Sequence, residues 1–325
     1  MAGQHTRLLA AVAAAGLVLA GCGGGGGAKG DDVGRLEIMA PADPGGGWDQ
    51  TARAMQAAID GAGLADSVQV SNVGGAGGTV GLQKLATERS ESYLMVTGLV
   101  MVGAVETNGV DKRLEDTTPI ARLTAEDEVV VVPADSPYRT IEDLLAAVDA
   151  KGQGVTITGG SAGGTDHVLA GMLLQALDID PGKLNYVPYS GGGESLAALL
   201  GGKVDAGISG VGEYVEQIKA GKLRALGTSG PKEHPELKAP TFKKLGKGVE
   251  LINWRGVVAP GSISVAAKDR LVKLVTDMHA SPQWQEELKK KGWTDTFQTG
   301  HDFSTFLTVE IGRIKPVLQE IGLVQ

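Results

Sequence analysis

Thr158-Gly-Gly-Ser-Ala-Gly-Gly-Thr-Asp-His167 is the stretch on which the reading of this chain turns. It follows an apolar, β-branched run, Val155-Thr-Ile-Thr158, and precedes a periodic segment bearing Val168, Met172, Leu173 and Leu177. Strand, glycine-rich turn, helix: this order points several backbone N–H groups and the positive end of a helix dipole at one place. Such a place attracts an anion. The same order recurs at Ala42-Asp-Pro-Gly-Gly-Gly-Trp-Asp49, at Asn72-Val-Gly-Gly-Ala-Gly-Gly-Thr79 and at Tyr189-Ser-Gly-Gly-Gly-Glu194. The four junctions read as parts of one anion-binding cleft.

The flanking text supplies the frame. Arg35-Leu-Glu-Ile-Met-Ala40, Ser67-Val-Gln-Val-Ser-Asn72 and Tyr93-Leu-Met-Val-Thr-Gly98 read as strands, each running into a turn and a helix. Trp48, Ala52, Met55 and Ile59 keep a 3.6-residue period after the first of them. A second series starts at Glu128-Val-Val-Val-Val-Pro133, whose valines suit a strand buried on both faces. Thr140 is the expected N-cap of the next helix, with Asp143 at N3. Strands follow at Val155, Leu184, Val204 and Leu223, and Asn253-Trp-Arg-Gly-Val-Val-Ala-Pro260 returns as another. Two amphipathic helices, near residues 265–280 and 302–321, close the chain, with Trp284 and Trp293 as apolar plugs between them. Strands alternating with helices at this spacing predict a parallel α/β sheet.

Composition narrows the function. Of 325 residues, 50 are glycine, and the net charge of −8 leaves no basic stripe for nucleic acid. The single cysteine, Cys22, excludes an internal disulfide, a cysteine-based metal site and a CxxC redox pair. No cofactor or metal is expected. An apolar run behind Arg7, too short to span a bilayer comfortably, ends in Leu19-Ala-Gly-Cys22. That ending resembles the lipobox of a bacterial lipoprotein signal, which implies cleavage before Cys22 and lipidation of its thiol. Residues 22–34 would be a glycine-rich tether, placing the protein on the outer face of the cell membrane.

Taken together, these blocks resemble the substrate-binding subunit of tripartite tricarboxylate transporters, over about residues 36–324. The most specific pieces are Ala40-Pro-Ala-Asp-Pro-Gly-Gly-Gly-Trp-Asp49, Gly159-Gly-Ser-Ala-Gly-Gly-Thr-Asp-His167, Asn185-Tyr-Val-Pro-Tyr-Ser-Gly-Gly-Gly-Glu194 and the Asn253 block. The resemblance implies two Rossmann-like α/β domains joined by crossover strands around a cleft, the type II periplasmic-binding-protein architecture. Domain 1 would comprise residues 35–124 and 253–325, and domain 2 residues 125–252. It implies capture of a small carboxylate, a tricarboxylate such as citrate or a dicarboxylate, for delivery to membrane permease subunits by a monomer. Carried onto this sequence, one carboxylate is held by Pro44, Gly45, Gly46, Gly47, Trp48 and Asp49. Ser161, Gly163, Gly164, Thr165, Asp166, Tyr189, Ser190, Gly191 and Gly192 hold the other end. Asn72, Gly75, Gly77, Gly78 and Thr79 line the first-domain wall.

Backbone donors suit an acidic protein that binds an anion, because they add no competing charge. Asp49, Asp166 and Glu194 look misplaced beside an anion, and are expected to bond the loop backbone or cap a helix. His167 could lend charge to a carboxylate or merely pack, and Asp205 reads first as a strand-end residue. Gly159-Gly-Ser-Ala-Gly163 also satisfies G-x-S-x-G, so an α/β-hydrolase is a competing reading. His234 and His279 lack an evident strand-end setting for its base, so no enzyme is expected. A sensory lipoprotein without transport would share the fold.

Overall fold

The computed structural model describes residues 33–189, 192–246 and 248–324. The expected signal, Cys22 and the expected tether up to residue 32 lie outside the described residues, as do Ser190 and Gly191; Val33 and Gly34, the tether's last two residues, open the first strand instead. In chain order the strands and helices are β1 (Val33–Ala40), α1 (Gly47–Ala62), β2 (Ala65–Asn72), α2 (Thr79–Thr87), β3 (Tyr93–Gly98) and α3 (Leu99–Thr107). Then come β4 (Thr118–Pro133), α4 (Ile141–Lys151), β5 (Thr156–Gly159), α5 (Thr165–Gln175), β6 (Asn185–Pro188), α6 (Gly192–Leu200), β7 (Ala206–Gly210), α7 (Val211–Lys219) and β8 (Leu223–Thr228). The chain returns through β9 (Ile252–Ala259), α8 (Val265–Ala280), α9 (Pro282–Lys291), β10 (Thr294–Thr299) and α10 (Gly300–Glu320). None of the described helices is long and apolar enough to cross a membrane.

The strands form two α/β halves that share β4. In the first, β1 pairs in parallel with β2 and β3. In the second, β5 pairs in parallel with β6 and β7. Between these parallel edges the ladder is antiparallel, because β9 runs against both β3 and β4. The sheet is therefore mixed, not parallel throughout. Two crossover strands passing between the halves in opposite directions require it. β4 changes partners in mid-strand: it pairs with β9 as far as Asp127↔Ile252, then with β7 from Glu128↔Gly210 onward. Its second half, Val129 to Val132, is fully buried, as an unbroken β-branched run should be.

Local chemistry explains the helix boundaries. α1 buries Trp48, Ala52, Met55 and Ile59 and stops at Gly63, which takes the left-handed conformation at φ 64°. α4 starts at the expected capping box, with the Thr140 hydroxyl accepting from the Asp143 N–H. The closing helices are three, not two: Pro282 and the Ser281 cap start α9 directly after α8. Trp284 and Trp293 are buried beside one another there, their rings 6.5 Å apart.

Candidate functional site

Between the two halves lies a cavity of about 120 Å³ whose wall comes from six separate segments besides β9. The first half supplies Pro41, Ala42, Asp43, Gly46, Gly47 and Trp48, then Gly75, Ala76, Gly77 and Gly78, then Val100. The second half supplies Gly160, Ser161, Gly164, Thr165 and Asp166, then Gly192, then Ser209, Gly210 and Glu213. Asn253 and Arg255 of β9 complete it.

This wall is built from helix beginnings. α1, α2, α3, α5 and α7 all start at it, and their N-cap residues are Gly46, Gly78, Gly98, Gly164 and Gly210. None of these glycines offers a side-chain cap, so first-turn N–H groups that a helix cannot bond internally are open to the cavity, save at α2, where the Thr79 N–H bonds the Ala76 carbonyl. The dipoles add positive potential at the same place. Glycine also clears space: a Cβ on Gly47 would lie 2.5 Å from the Arg255 guanidinium.

The halves also touch at the mouth. A Cβ on Gly163, whose φ is +74°, would fall 2.5 Å from Thr107 of α3. One on Gly103 of α3 would collide with the Gly163 carbonyl. These glycines let the second-half loop approach α3 closely.

The polar floor is acidic. Arg255 is buried and forms an ion pair with buried Glu126 across the two crossover strands. The guanidinium also lies over the Trp293 ring at 5.3 Å. Asp166, buried, accepts from the Gly160 N–H at 2.6 Å. Burial nonetheless pushes its carboxyl up to about 6. Half-buried Glu213 accepts from the Ser209 hydroxyl at 3.0 Å, and burial, then the Glu126 and Asp166 charges, push it up to about 7. Beneath them Glu128 is fully buried, its carboxyl in hydrogen-bonding reach of the Asp166 carboxyl. Burial, then the charge on Asp166, hold it well above the carboxylate range. The Thr165 hydroxyl is buried and unpartnered on the cavity wall.

Of the residues singled out in the sequence, Gly46, Gly47, Trp48, Gly75, Gly77, Gly78, Ser161, Gly164, Thr165, Asp166 and Gly192 meet at this cavity. The other described ones lie outside its lining. Asp49 accepts from the Gly45 N–H, Arg53 and Asn72, and these bonds outweigh burial and hold its carboxyl low. It fastens the first loop, and Asn72 ties that loop to the Ala42 carbonyl. Pro44 and Gly45 are exposed on the loop's outer side, and Thr79 bonds the Ala76 carbonyl. Asp205 bonds the Thr156 N–H and hydroxyl at the far end of β5, as a strand-end residue would. Tyr189 faces a shallow opening shared with Ser161, Asn108 and Glu194.

His167 does not supply charge. Its ring stacks on Tyr186 at 4.0 Å, its Nδ1 accepts from the Gly163 N–H, and burial pushes it down to about 4. It is neutral at pH 7 and holds the loop.

Sequence reasoning did not assign Glu126, Glu128, Glu213, Asn253 or Arg255 to the site. A faint signal existed for Glu213, which follows a strand–glycine junction, Ser209-Gly210, that lacks the repeated glycines of the others. Asn253 and Arg255 lie in a block quoted above for its family likeness.

A mixed α/β fold with a cleft walled by helix N-termini at a two-strand crossover is that of an extracytoplasmic solute-binding protein. The sequence profile of the tripartite tricarboxylate transporter family receptor matches residues 51–323, and the chain belongs to that family. Among curated relatives, a UPF0065 protein from the tcbD-tcbE intergenic region of Pseudomonas sp. (strain P51) is 28% identical over 260 residues, 78% of this chain and 76% of its own. Protein BugT of Bordetella pertussis is 26% identical, covering 88% of this chain and 89% of its own. Among solved structures, MatC from Rhodopseudomonas palustris with bound malate has a TM-score of 0.75 at 21% identity, covering 87% of this chain and 99% of that one. R. palustris Rpa4515 with adipate has a TM-score of 0.78 at 21% identity, covering 89% and 97%.

Proposed function

We propose that this protein captures a small di- or tricarboxylate outside the cytoplasmic membrane and hands it to the permease subunits of a tripartite tricarboxylate transporter. The observation that carries this reading is the set of uncapped glycine N-termini, from both halves, around one cavity. Backbone donors and helix dipoles recognise a carboxylate without a fixed positive side chain. The malate and adipate bound by two structures of the same fold are ligands of this chemical class.

The ligand would bridge residues 35–124 plus 253–325 on one side and 125–252 on the other. β4 and the β8–β9 connection would serve as the hinge. Cys22 would be the lipidated anchor residue, and the protein would act as a monomer. Ser161 lies in a ligand loop under this reading. The histidine nearest to it in sequence, His167, is engaged with the Gly163 N–H and the Tyr186 ring.

Native mass spectrometry of freshly purified protein tests the proposal. One organic acid should be retained at one copy per chain and lost on denaturation. Retention of an uncharged solute instead, with malate, adipate and citrate all failing to bind, would refute it.

A further inference from the structure

Three carboxyls line the cavity and two more stand behind it. β4 contributes Glu126 and Glu128, the start of α5 contributes Asp166, the first turn of α7 contributes Glu213, and the first loop contributes exposed Asp43. The other titratable groups packed around them are Tyr186 of β6, Tyr214 of α7 and His167, which is neutral. Arg255 is the one cationic side chain among the described residues lining the cavity, and Glu126 already pairs with it. An arriving carboxylate therefore meets more negative charge than any side chain offsets.

A further feature points to a ligand at this spot. Thr165 lines the cavity, and its buried hydroxyl has no hydrogen-bond partner. Buried polar atoms are rarely left so, and a hydrogen-bonding guest would complete the Thr165 hydroxyl.

Resting on the carboxylate reading above, we propose that Asp166 and Glu213 bind the ligand as protonated carboxyls. Each donates an O–H to the ligand's carboxylate, so that capture of the anion takes up a proton from solvent. Two ionised carboxylates in contact repel, whereas one proton between them makes a short, charge-assisted O–H···O⁻ bond. No other bond is made or broken. The Gly160 N–H and the Ser209 hydroxyl each hold one oxygen of these carboxyls in place; the second Glu213 oxygen is left for the proton, while the Asp166 carboxyl also meets that of Glu128.

The pH dependence follows from linkage. In the free protein Asp166 titrates at about 6 and Glu213 at about 7. A bound anion raises both further, so proton uptake is greatest just above these values. Affinity should be level below about pH 5, where both carboxyls already hold protons. It should fall as pH rises, approaching roughly tenfold per pH unit for each proton taken up.

Calorimetry with malate and with adipate, at several pH values and in buffers of low and high ionisation enthalpy, counts the protons. At pH 7.5 the wild type should take up about half a proton or more per ligand, and affinity should fall about fivefold or more between pH 6 and 8. The Asp166→Asn/Glu213→Gln double variant should bind with no uptake and a flat pH profile. Each single variant should retain part of the uptake, and these serve if the double variant does not fold. Saturable binding without proton exchange overturns the proposal, as does uptake that survives in the double variant or affinity that rises with pH. If neither acid, nor citrate, binds at any pH, the carboxylate reading itself fails.

Discussion

The helices that begin at the cavity and those that begin elsewhere are built differently. At the cavity the five described N-caps are all glycine, and none makes a side-chain cap. Away from it, α4, α8 and α9 begin with Thr140, Ser264 and Ser281, each accepting a first-turn N–H. Only α10 departs from this, with Thr299 as an N-cap that makes no such bond. A serine or threonine cap stabilises a helix by about 1 kcal/mol. That figure is relative to alanine; relative to glycine it is only about a few tenths of a kcal/mol, so the five glycine caps of the cleft give up a little stability each, and the cleft also keeps carboxyls buried at a cost. Stability is sacrificed where a ligand must find donors, and retained where nothing must bind.

The largest expected effect breaks this contrast by filling the cleft. Gly164→Val would place branched carbons against Ser161 and Val100, because a Cβ there already lies 2.9 Å from the Ser161 carbonyl. Binding should fall more than 100-fold, equivalent to about 2.7 kcal/mol, with the circular dichroism spectrum unchanged. Calorimetry showing wild-type affinity in the folded variant would remove this loop from the site.

Next comes the cost of the acidic floor. Glu213 has a folded-state value above its unfolded one, so the native protein binds more protons between pH 4.5 and about 7. Its penalty is absent below the unfolded value, grows through that window and is complete above it. Glu213→Gln should therefore stabilise the ligand-free protein at pH 8, by on the order of 2 kcal/mol given its partial solvent contact, and do nothing at pH 4. Urea melts at the two pH values decide it. Equal effects at both would show that the carboxyl is not strained.

A smaller effect comes from moving a cap into the cleft. Gly46 has the extended backbone of an ordinary N-cap (φ −70°, ψ 168°) and room for a Cβ. Gly46→Ser should raise the melting temperature by a few degrees at most and weaken binding roughly tenfold, as the new hydroxyl competes for the ligand's donors. Tighter binding would mean that the hydroxyl helps the ligand and that the bare glycine serves another purpose. Smallest is the reciprocal change: Ser264→Ala or Ser281→Ala should cost about 1 kcal/mol of stability and leave affinity untouched. A shift in the dissociation constant from either would erase the distinction between the two regions.

How far the sequence revealed this arrangement depends on the range of the interactions. Wherever a β-branched run led into glycines and a periodic helix, the signal was local. β3 and β8 fall on the expected residues, and the Thr140–Asp143 capping box is where three-residue spacing puts it. The first half of β4 was not legible, because Pro119, Thr124, Glu126 and Asp127 interrupt any apolar pattern. Its pairing with β9 is what makes it a strand. β10 is similarly polar, Thr-Asp-Thr-Phe-Gln-Thr, and is held by the β4 edge. The glycine wall of the site could be read for the same local reason. Its acidic floor could not, since Glu126 and Arg255 lie 129 residues apart and meet only when the crossover strands pair. Asp166 was visible but looked like a capping residue, and it is one: its bond to Gly160 coexists with its place in the cavity wall.

The claim that carboxylates are received by bare helix N-termini is tested most directly by backbone amide NMR during titration with malate or adipate. The Gly47, Trp48, Thr165 and Asp166 amides should shift together and saturably, with the dissociation constant found by calorimetry. The Ala267 and Trp284 amides, which are capped by Ser264 and Ser281, should stay still. Saturable binding that leaves the cleft amides unmoved would contradict the account.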